Sequence, residues 1–232
     1  EAKQNKDFGK LEKIYHTVTK TMFFITCSVS LFFVPYATEL IQVALGNSYI
    51  AGSDTLIILL LYPAHQALGQ ICGTMFLALG MVKANTVLGV CFMSMGLIFA
   101  YFMLAPVDNS IPGFDLASKG LALKLVVLQI VQVNLMAWYI ARVHKWRFDL
   151  YHQILVVFVC LLLAWCSKFM MQITPIVNAQ VYIGYQISFS FILYFGLILA
   201  IIYRYPETAG ISKKQVSDFL NYLKNNSIDN FK

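Results

Sequence analysis

The sequence predicts an all-α integral membrane protein with six transmembrane helices. Hydrophobic residues make up 59% of its 232 residues and charged residues only 12%, whereas soluble domains are about one quarter charged. The apolar residues also form long runs without charge, such as 55–82 and 84–107, and a helix needs roughly 20 apolar residues to cross the hydrocarbon core. A β-barrel is disfavoured because these runs lack period-two alternation and are too long for barrel strands.

The six spans follow the apolar runs along the chain. Backbone polar groups in lipid must be hydrogen-bonded within their own segment, which favours helices. The predicted spans cover residues 21–43, 54–79, 84–105, 120–141, 151–172 and 181–203. Residues 1–20 form a predicted cytoplasmic amphipathic linker, and residues 204–232 a predicted cytoplasmic amphipathic tail with one apolar helical stripe.

Lysine and arginine are distributed unevenly between the two sides of this topology. With both termini in the cytoplasm, Lys119, Lys124 and Lys168 fall on the outer half, and the other 14 of the 17 basic residues fall on the cytoplasmic side. An excess of Lys and Arg is typical of cytoplasmic loops, so this distribution favours cytoplasmic termini. The formal charge of +6 therefore reflects topology and attraction to anionic lipids. No basic patch is interleaved with aromatic residues, so nucleic acid is not an expected partner.

The sequence contains no pattern that indicates catalysis or a cofactor. All five cysteines lie within predicted spans, and none is paired at the spacing of metal ligands or of a disulfide framework. The chain has no nucleotide-binding loop, no HExxH motif and no nucleophile with an evident acid/base partner. We therefore predict a protein that is not an enzyme, that needs no metal or cofactor, and that draws any work it does from gradients.

The second predicted span contains polar groups within an apolar run. A helical period places four residues on one side of this span: Gln66, Gly69, Gln70 and Gly73. The two glycines form a small-xxx-small pair that lets helices approach closely, and the two amides can hydrogen-bond across such a contact. In a second interpretation, the amides line a water-filled cavity and contact a polar substrate. The pattern leaves both interpretations open.

Two further residues of this span are candidates for a functional role. Pro63 removes a backbone donor, which predicts a kink or a hinge. His65 lies at the edge of the amide side, and an imidazole there could carry a proton near neutral pH. A lone histidine without a visible partner is more often a neutral hydrogen-bonding residue, so His65 is only a candidate for proton coupling.

The fourth predicted span carries a lysine about one turn inside the membrane. Lys124, Gln129 and Gln132 spread over roughly 140° of one helix face. An ionisable residue within a span is costly and indicates function, although Lys124 lies near the helix end and could instead extend to the headgroups. Glu39 and Lys168, near the outer ends of spans one and five, are predicted to be interfacial.

Several short patterns carry a family resemblance. The first span ends in "ALGNSY", the second ends in the lysine-bearing turn "LALGMVKAN", and the fourth begins with "KGLALKLVV" after a proline-containing loop. Together with the charged lead "DFGKLEKIYHTVTK", residues 8–145 resemble the C-terminal half of lipid-linked oligosaccharide flippases. These flippases belong to the multidrug/oligosaccharidyl-lipid/polysaccharide exporter superfamily. Lys119 and Lys124 depart from the family, in which small or apolar residues are common there.

The resemblance implies a larger architecture than the six spans. Residues 21–145 would be four helices of the second lobe of a twelve- to fourteen-helix, two-lobe transporter, and residues 146–203 two additional helices. The implied activity is the flipping of undecaprenyl-linked oligosaccharide across the cytoplasmic (inner) membrane by alternating access, in the biosynthesis of O-antigen, capsule or exopolysaccharide. The implied partners are the lipid-linked oligosaccharide, membrane lipids and a missing N-terminal half of the transporter.

The resemblance also implies a cargo site in a central polar cavity. The expected substrate-binding residues are Lys124, which would meet a phosphate, and the amides Gln66, Gln70 and Gln132. In this scheme His65 is the proton-coupling candidate and Pro63 the hinge.

Three other functions stay open at this point. A cation-coupled multidrug antiporter of the same superfamily would need a membrane acid, and spans two to four contain none beyond Asp54 at the edge. A membrane-bound glycan polymerase or acyltransferase would place Arg, His or acids in an external loop, where only Asp108 and Asp115 are candidates. A scaffold subunit without cargo is the structural alternative.

Overall fold

The computed structural model describes residues 8–172 and 179–211, and this part of the chain contains helices but no strand. Six helical segments are long and apolar enough to cross a membrane. The helices are α1 (Phe8–Phe32), α2 (Ala37–Leu45), α3 (Ser53–Leu59), α4 (Tyr62–Ala78), α5 (Val82–Leu104), α6 (Ala117–His144), α7 (Leu150–Gln172) and α8 (Ala179–Arg204). Short 3₁₀ segments lie at Val34–Tyr36, Asn47–Gly52 and Pro206–Ala209. The predicted all-α class and the number of spans are confirmed.

The helix that contains the first predicted span begins within the predicted linker. Helix α1 runs without a break from Phe8 to Phe32, so the described part of the predicted linker is continuous with the span. Residues 10–32 contain neither glycine nor proline, and nothing in this stretch therefore favours a helix end. The predicted apolar stripe of the tail, over residues 216–223, lies outside the described residues.

Proline interrupts the first two spans. In the first, Pro35 lies in the 3₁₀ segment between α1 and α2; in the second, Pro63 lies in the first turn of α4, just after the interruption at Leu60 and Leu61. Proline lacks a backbone N–H and clashes with the preceding turn, so it is tolerated at the start of a helix and not in its interior. Each of these spans therefore consists of two shorter helices, and Pro63 lies where the sequence predicted a kink.

The spans pack side by side in an order that differs from their order along the chain. Helix α5 packs on α6, α6 on α3 and α4, α4 on α1, α1 on α7, and α7 on α8. The interior between them is rich in aromatic side chains, and the largest that are fully buried are Tyr36, Tyr194, Phe23, Phe32 and Phe76. The last two spans thus share one core with the first four.

Two ion pairs join the first span to α7 at opposite ends. Lys20 Nζ lies 2.6 Å from Asp149 Oδ2, and Lys168 Nζ is paired with Glu39 Oε1. Lys20 and Glu39 are 19 positions apart along the first span, and Asp149 and Lys168 are also 19 positions apart, which corresponds to about 28 Å at the helical rise. This distance is close to the roughly 30 Å of a hydrocarbon core, so the two pairs lie where its two surfaces would be. The end that holds Lys20 and Asp149 is called the Asp149 end.

The second and fourth spans run parallel in a fixed register. Three side-chain contacts join them: Thr55 with Ser118, His65 with Gln129, and Asp54 with Lys119. The partners are 63, 64 and 65 residues apart in sequence. This separation is nearly constant on both sides of the interruption at Leu60, so residues about 64 apart lie at the same depth. The end that holds the Asp54–Lys119 pair is called the Asp54 end.

One glycine allows α4 and α6 to approach closely. A Cβ atom on Gly69 would lie 2.9 Å from Gln129 Nε2 and 3.1 Å from Val133 Cγ2, whereas a Cβ on Gly73 would meet no atom within 4 Å. Of the predicted small-xxx-small pair, only Gly69 therefore lies at a helix contact in the described structure. The surface around Gly73 is open.

Candidate functional site

A polar groove lies between α5 and α6. Its volume is about 390 Å³, and α6 contributes Lys124, Gln129 and Gln132 to its lining. The α5 side of the groove includes Gly89 and Gly96. Small residues there leave room for long side chains, and a Cβ on Gly96 would lie 3.5 Å from Lys124 Cε and 3.6 Å from Nζ. The predicted site residues Lys124 and Gln132 are thus brought into one groove.

The Lys124 ammonium group has no protein partner among the described residues. The side chain is half-buried, and no carboxylate or hydrogen-bond acceptor is assigned to it in that part of the chain. By contrast Lys119, five residues earlier on the same helix, is more than half exposed and lies 2.6 Å from Asp54 Oδ2. An uncompensated ammonium within a span is costly. Lys124 is therefore available for an anion, whereas Lys119 is already paired.

The groove borders on the open side of α4 through Gln129. Its Nε2 donates to the carbonyl oxygen of His65 at 3.4 Å and lies against Gly69. On one side of Gly69, the α4 residues in the adjacent turns are buried. On its other side, Gln66 is only half-buried. On α6, Gln132 lies about one turn from Gln129 and lines the groove. Gln66 and Gln132 consequently flank the same contact on its open side.

Gln70 extends this open side by one further turn. It is exposed and lines a second groove, of about 300 Å³, between α4 and α1, where its neighbours include Val18 and Thr74. By the register of the two spans, Gln66 is level with Ile130 and Gln70 with Asn134, so both lie near the depth of Gln132. We call the surface formed by Gln66 and Gln70 of α4 and Lys124, Gln129 and Gln132 of α6 the polar face.

Lys124, at one end of the polar face, lies beside the interruption of the second span. The same register places Lys124 level with Leu60, between the end of α3 and the start of α4. Broken helices within a membrane expose backbone groups, and transporters use them at substrate sites. An ammonium group can bind a phosphate, and amides donate to and accept from hydroxyls. The arrangement therefore offers a cation and neutral hydrogen-bonding groups on one surface.

His65 lies on the other side of α4. Its ring is buried, 5.4 Å from the ring of Phe23 in an edge-on contact, and Nδ1 lies 3.2 Å from the carbonyl oxygen of Leu61. It lines a separate groove between α4, α6 and α7 that also contains Asn134. The structure thus does not bring the predicted proton-coupling candidate to the polar face.

The amides of the spans fall into two groups. Gln153 of α7 donates to Asn134 of α6 at 3.0 Å, and Gln129 donates to the backbone of α4, so these amides link helices. Within the described residues Gln66, Gln70 and Gln132 make no such bond. Interhelical hydrogen bonding, one of the two interpretations left open for Gln66 and Gln70, is thus made in the described structure by Gln129 and Asn134 instead, and the three amides proposed as substrate ligands are free to bind other groups.

A charged network at the first interruption was not recognised from the sequence. Lys168, expected to be interfacial, donates to the carbonyl oxygen of Pro35 at 2.5 Å and to Glu39, and its Nζ lies 4.9 Å from the centre of the Tyr36 ring. The side chains of Lys168 and Glu39 are 12% and 23% exposed. One sequence signal could have revealed this network. Lys168 and Glu39 are opposite charges at matched depths of two spans, next to a proline in the first span.

The Asp149 end holds a second polar cluster that the sequence analysis missed. Asp149 caps α7 by accepting from the backbone N–H of His152 at 3.1 Å, and it pairs with Lys20. His152 Nε2 lies 2.8 Å from the carbonyl oxygen of Thr208, and a small cavity of about 40 Å³ adjoins the cluster. These contacts hold the segment after α8 against the start of α7.

The pKa of Asp149 reflects these contacts. Burial alone would raise it, but the hydrogen bonds from Lys20 and from the His152 backbone, together with the charge of Lys20, hold the pKa below its ordinary value. A carboxyl group whose pKa is lowered by folding stabilises the folded state above its unfolded value, and this contribution is lost as pH falls through the folded value.

We expect acidification to remove this contribution from the wild-type chain. In thermal unfolding scans of the detergent-solubilised protein, the melting temperature of Asp149→Asn should lie below that of the wild type at neutral pH. The difference should shrink as pH falls below about 4, the ordinary value for aspartate. The matched control is Asp54→Asn, which breaks a more exposed ion pair at the opposite end. A gap between wild type and Asp149→Asn that stays constant with pH would contradict the assignment.

Metal sites and relatives give no further guide to function. In the part of the chain that the structure describes, no group of three His, Cys, Asp or Glu side chains could hold a metal ion. Comparison with protein-family models, curated proteins and solved structures finds no match to this chain. Function is therefore inferred from the geometry of the chain itself, together with the sequence resemblance described above.

Proposed function

We propose that the protein is a membrane transporter that flips an undecaprenyl-linked oligosaccharide by alternating access, in polysaccharide biosynthesis. The observation that carries the proposal is the polar face. It combines Lys124, which lies at the depth of the helix break and has no partner among the described residues, with Gln66, Gln70 and Gln132, which make no interhelical bond in the same part of the chain. If the amides only linked helices and the lysine only extended toward the headgroups, this combination would not be needed.

The proposed cargo matches the chemistry of the polar face. The phosphate of the lipid carrier would bind Lys124, and sugar hydroxyls would bind Gln66, Gln70 and Gln132. A sugar headgroup in hydrocarbon would leave many hydroxyls unsatisfied, and each unmade bond is costly. A polar path beside the acyl chains supplies these bonds, while the lipid tail stays in the membrane. Pro63, at the interruption of the second span, is the proposed hinge.

The proposal includes a second lobe and an orientation. A lysine and three amides on an open surface would be costly against lipid, so we propose that another part of the transporter, corresponding to the N-terminal half implied by the resemblance, covers the polar face across a water-filled cavity. We further propose that the Asp149 end and both termini lie in the cytoplasm, because most basic residues then follow the positive-inside pattern. We propose the cytoplasmic membrane as its location, as the resemblance implies.

Thiol labelling tests this orientation. In a chain whose five native cysteines are replaced by alanine, Ser110→Cys lies in the loop between α5 and α6 and Lys145→Cys lies between α6 and α7. Both positions are exposed. A membrane-impermeant maleimide added to intact cells should label the first and spare the second until the membrane is opened. Labelling of Lys145→Cys in intact cells, with Ser110→Cys protected, would reverse the proposed orientation.

Reconstitution tests the transport activity. Proteoliposomes containing the chain together with its proposed N-terminal half would incorporate a fluorescent undecaprenyl-diphosphate-linked sugar, and the fraction accessible to an external quencher would be followed over time. We expect the protein to accelerate quenching of the inner-leaflet lipid, and a phospholipid with the same fluorophore to remain unaffected. Equal rates with and without protein, under an imposed proton gradient, would contradict the proposal.

The same vesicles distinguish the other functions considered. Exchange of a cationic dye for protons without movement of the lipid-linked sugar would identify a drug antiporter. Extension or acylation of the sugar, visible by mass spectrometry, would identify a glycan polymerase or an acyltransferase. Either result would replace the proposed activity with a different one.

A further inference from the structure

The strongest feature outside the polar face is the cavity at the Asp149 end, which we call the Asp149 cavity. It lies between α1 and the start of α7, and its lining includes the polar side chains of His16, Thr19, Lys20 and Arg147. Its volume is about 40 Å³. A buried water needs roughly 10–15 Å³, so the cavity has room for about three water molecules or for the oxygen atoms of one small anionic group.

One cationic side chain at the Asp149 cavity is unpaired. Both carboxylate oxygens of Asp149 are occupied, since Oδ2 lies 2.6 Å from Lys20 Nζ and Oδ1 accepts from the backbone N–H of His152 at 3.1 Å. Lys20 and Asp149 therefore neutralise each other. Arg147 lines the same cavity and forms no ion pair or hydrogen bond within the described residues. With neutral histidines, one positive charge is thus left uncompensated among the described side chains of the lining.

Three polar side chains of the lining have buried atoms without a hydrogen-bond partner in the described structure. These atoms are His16 Nε2, Thr19 Oγ1 and Gln153 Oε1. Glu12 Oε1 lies 3.8 Å from His16 Nε2, which is too far for a hydrogen bond. An imidazole N–H and a hydroxyl can donate, whereas the amide oxygen accepts, and each is costly to bury unpaired. A ligand with acceptor oxygens, together with one bridging water, would satisfy all three atoms.

The depth of the Asp149 cavity matches that of lipid headgroups. The Lys20–Asp149 pair lies where one surface of the hydrocarbon core would be, and the side chains of Lys20 and Asp149 are 31% and 35% exposed. The lining also includes Phe23 and Leu68, which are fully buried. The cavity is therefore open toward the headgroups and apolar on its inner side. Basic pockets between transmembrane helices bind anionic lipid headgroups.

We propose that the Asp149 cavity binds the phosphate group of an anionic phospholipid from the adjacent leaflet. The phosphate oxygens accept from the Arg147 guanidinium, from the Thr19 hydroxyl and from His16 Nε2–H, and a water molecule links the phosphate to Gln153. The acyl chains stay in the membrane. In the proposed orientation this leaflet is the cytoplasmic one. The bound lipid joins α1 to the segment between α6 and α7, and this inference does not depend on the proposed transport function.

A cavity that holds only water makes a different prediction. Water molecules can satisfy the same buried polar atoms, and the Arg147 guanidinium would then be solvated. Lipid binding would in that case not depend on Arg147 or on Thr19. Phosphate binding instead requires that a phospholipid binds more tightly than a lipid without phosphate, and that this preference falls when either side chain is changed.

Lipid binding to the purified full chain distinguishes the two accounts. The chain in neutral detergent would be titrated with dioctanoyl phosphatidylglycerol, and native mass spectrometry would give the stepwise dissociation constants of the bound lipids. Arg147→Gln should weaken one of these steps about tenfold, because it removes a charge-assisted hydrogen bond. Thr19→Val keeps the volume of the side chain and should weaken the same step about fivefold, because it removes a neutral hydrogen bond.

Two matched variants serve as controls, and circular dichroism would establish that every variant is folded. Lys145→Gln removes the same charge at an exposed position that does not line the cavity. Thr26→Val removes a hydroxyl that bonds only to the backbone of its own helix. Both should leave the affected step unchanged. Equal binding by Arg147→Gln and Lys145→Gln would overturn the proposal and leave the cavity to water.

Two further ligands identify the source of the phosphate. Dioctanoylglycerol has the same acyl chains without a phosphate, and it should not bind at the step that depends on Arg147. An excess of inorganic phosphate should not displace phosphatidylglycerol from that step. Displacement by inorganic phosphate would contradict a lipid site and identify a site for the free anion. No transport occurs in this measurement, so its failure is distinct from failure of the flipping assay.

Discussion

Replacing Lys124 with glutamine should lower transport of the lipid-linked oligosaccharide about tenfold to a hundredfold. The expected loss corresponds to one charge-assisted contact with a phosphate, on the order of 1.5–3 kcal/mol. Lys124→Arg should retain most of the activity, since the positive charge is kept. The rate of flipping in proteoliposomes, normalised to the amount of folded protein, measures the effect.

Lys119 provides the control on the same helix. Lys119→Gln removes a lysine that is more than half exposed and already paired with Asp54. An exposed ion pair contributes little, in the range of about 0–1 kcal/mol, so transport should change by less than about fivefold. If Lys124→Gln transports as well as the wild type, Lys124 only extends toward the headgroups and takes no part in binding the cargo.

Gly69→Leu should destabilise the protein more than any other single glycine substitution in the second span. The first added carbon alone would lie 2.9 Å from Gln129 Nε2 and 3.1 Å from Val133 Cγ2, so Gln129 would have to leave its contact with α4 and Val133 would have to shift. Overpacking of this kind costs about 1–3 kcal/mol. Unfolding of the purified protein in mixed micelles, followed by circular dichroism, measures the loss of stability.

Gly73→Leu is the matched control, one helical turn away. A Cβ there meets no atom within 4 Å, so the unfolding free energy should change by less than about 0.5 kcal/mol. The flipping assay with the proposed N-terminal half gives a second readout, because a leucine at this open position should hinder transport if Gly73 borders the proposed cargo path. Equal destabilisation by both leucines would contradict the described contact between α4 and α6.

The helices, and the polar residues that α6 contributes to the groove between α5 and α6, could be predicted from the sequence. Uncharged runs of sufficient length predict spans wherever backbone groups must bond internally. The helical period placed Lys124, Gln129 and Gln132 on one face, and the structure has all three in one groove. Prolines marked both interruptions, although only Pro63 was singled out.

The roles of individual polar residues could not be predicted in this way. A helical period gives the angle between Gln66 and His65, but not which of them faces the core; that depends on the position of Phe23 in another span. In the same way, Gln129 bonds to α4 and Gln132 does not because of where Gly69 lies. The Glu39–Lys168 pair joins residues 129 positions apart, and no local pattern reports such a contact.

Thiol accessibility of the polar face, in the chain joined to its proposed N-terminal half, tests the central claim most directly. Gln66→Cys, Gln70→Cys and Gln132→Cys would be compared with Leu162→Cys of α7 and Leu199→Cys of α8, which are exposed on helices that do not contribute to the polar face. A polar, charged thiol reagent should modify the three polar-face cysteines in membranes, lipid-linked oligosaccharide should protect them, and the two control positions should stay unmodified because they face lipid. Polar-face cysteines as unreactive as the controls would contradict a water-filled cargo path.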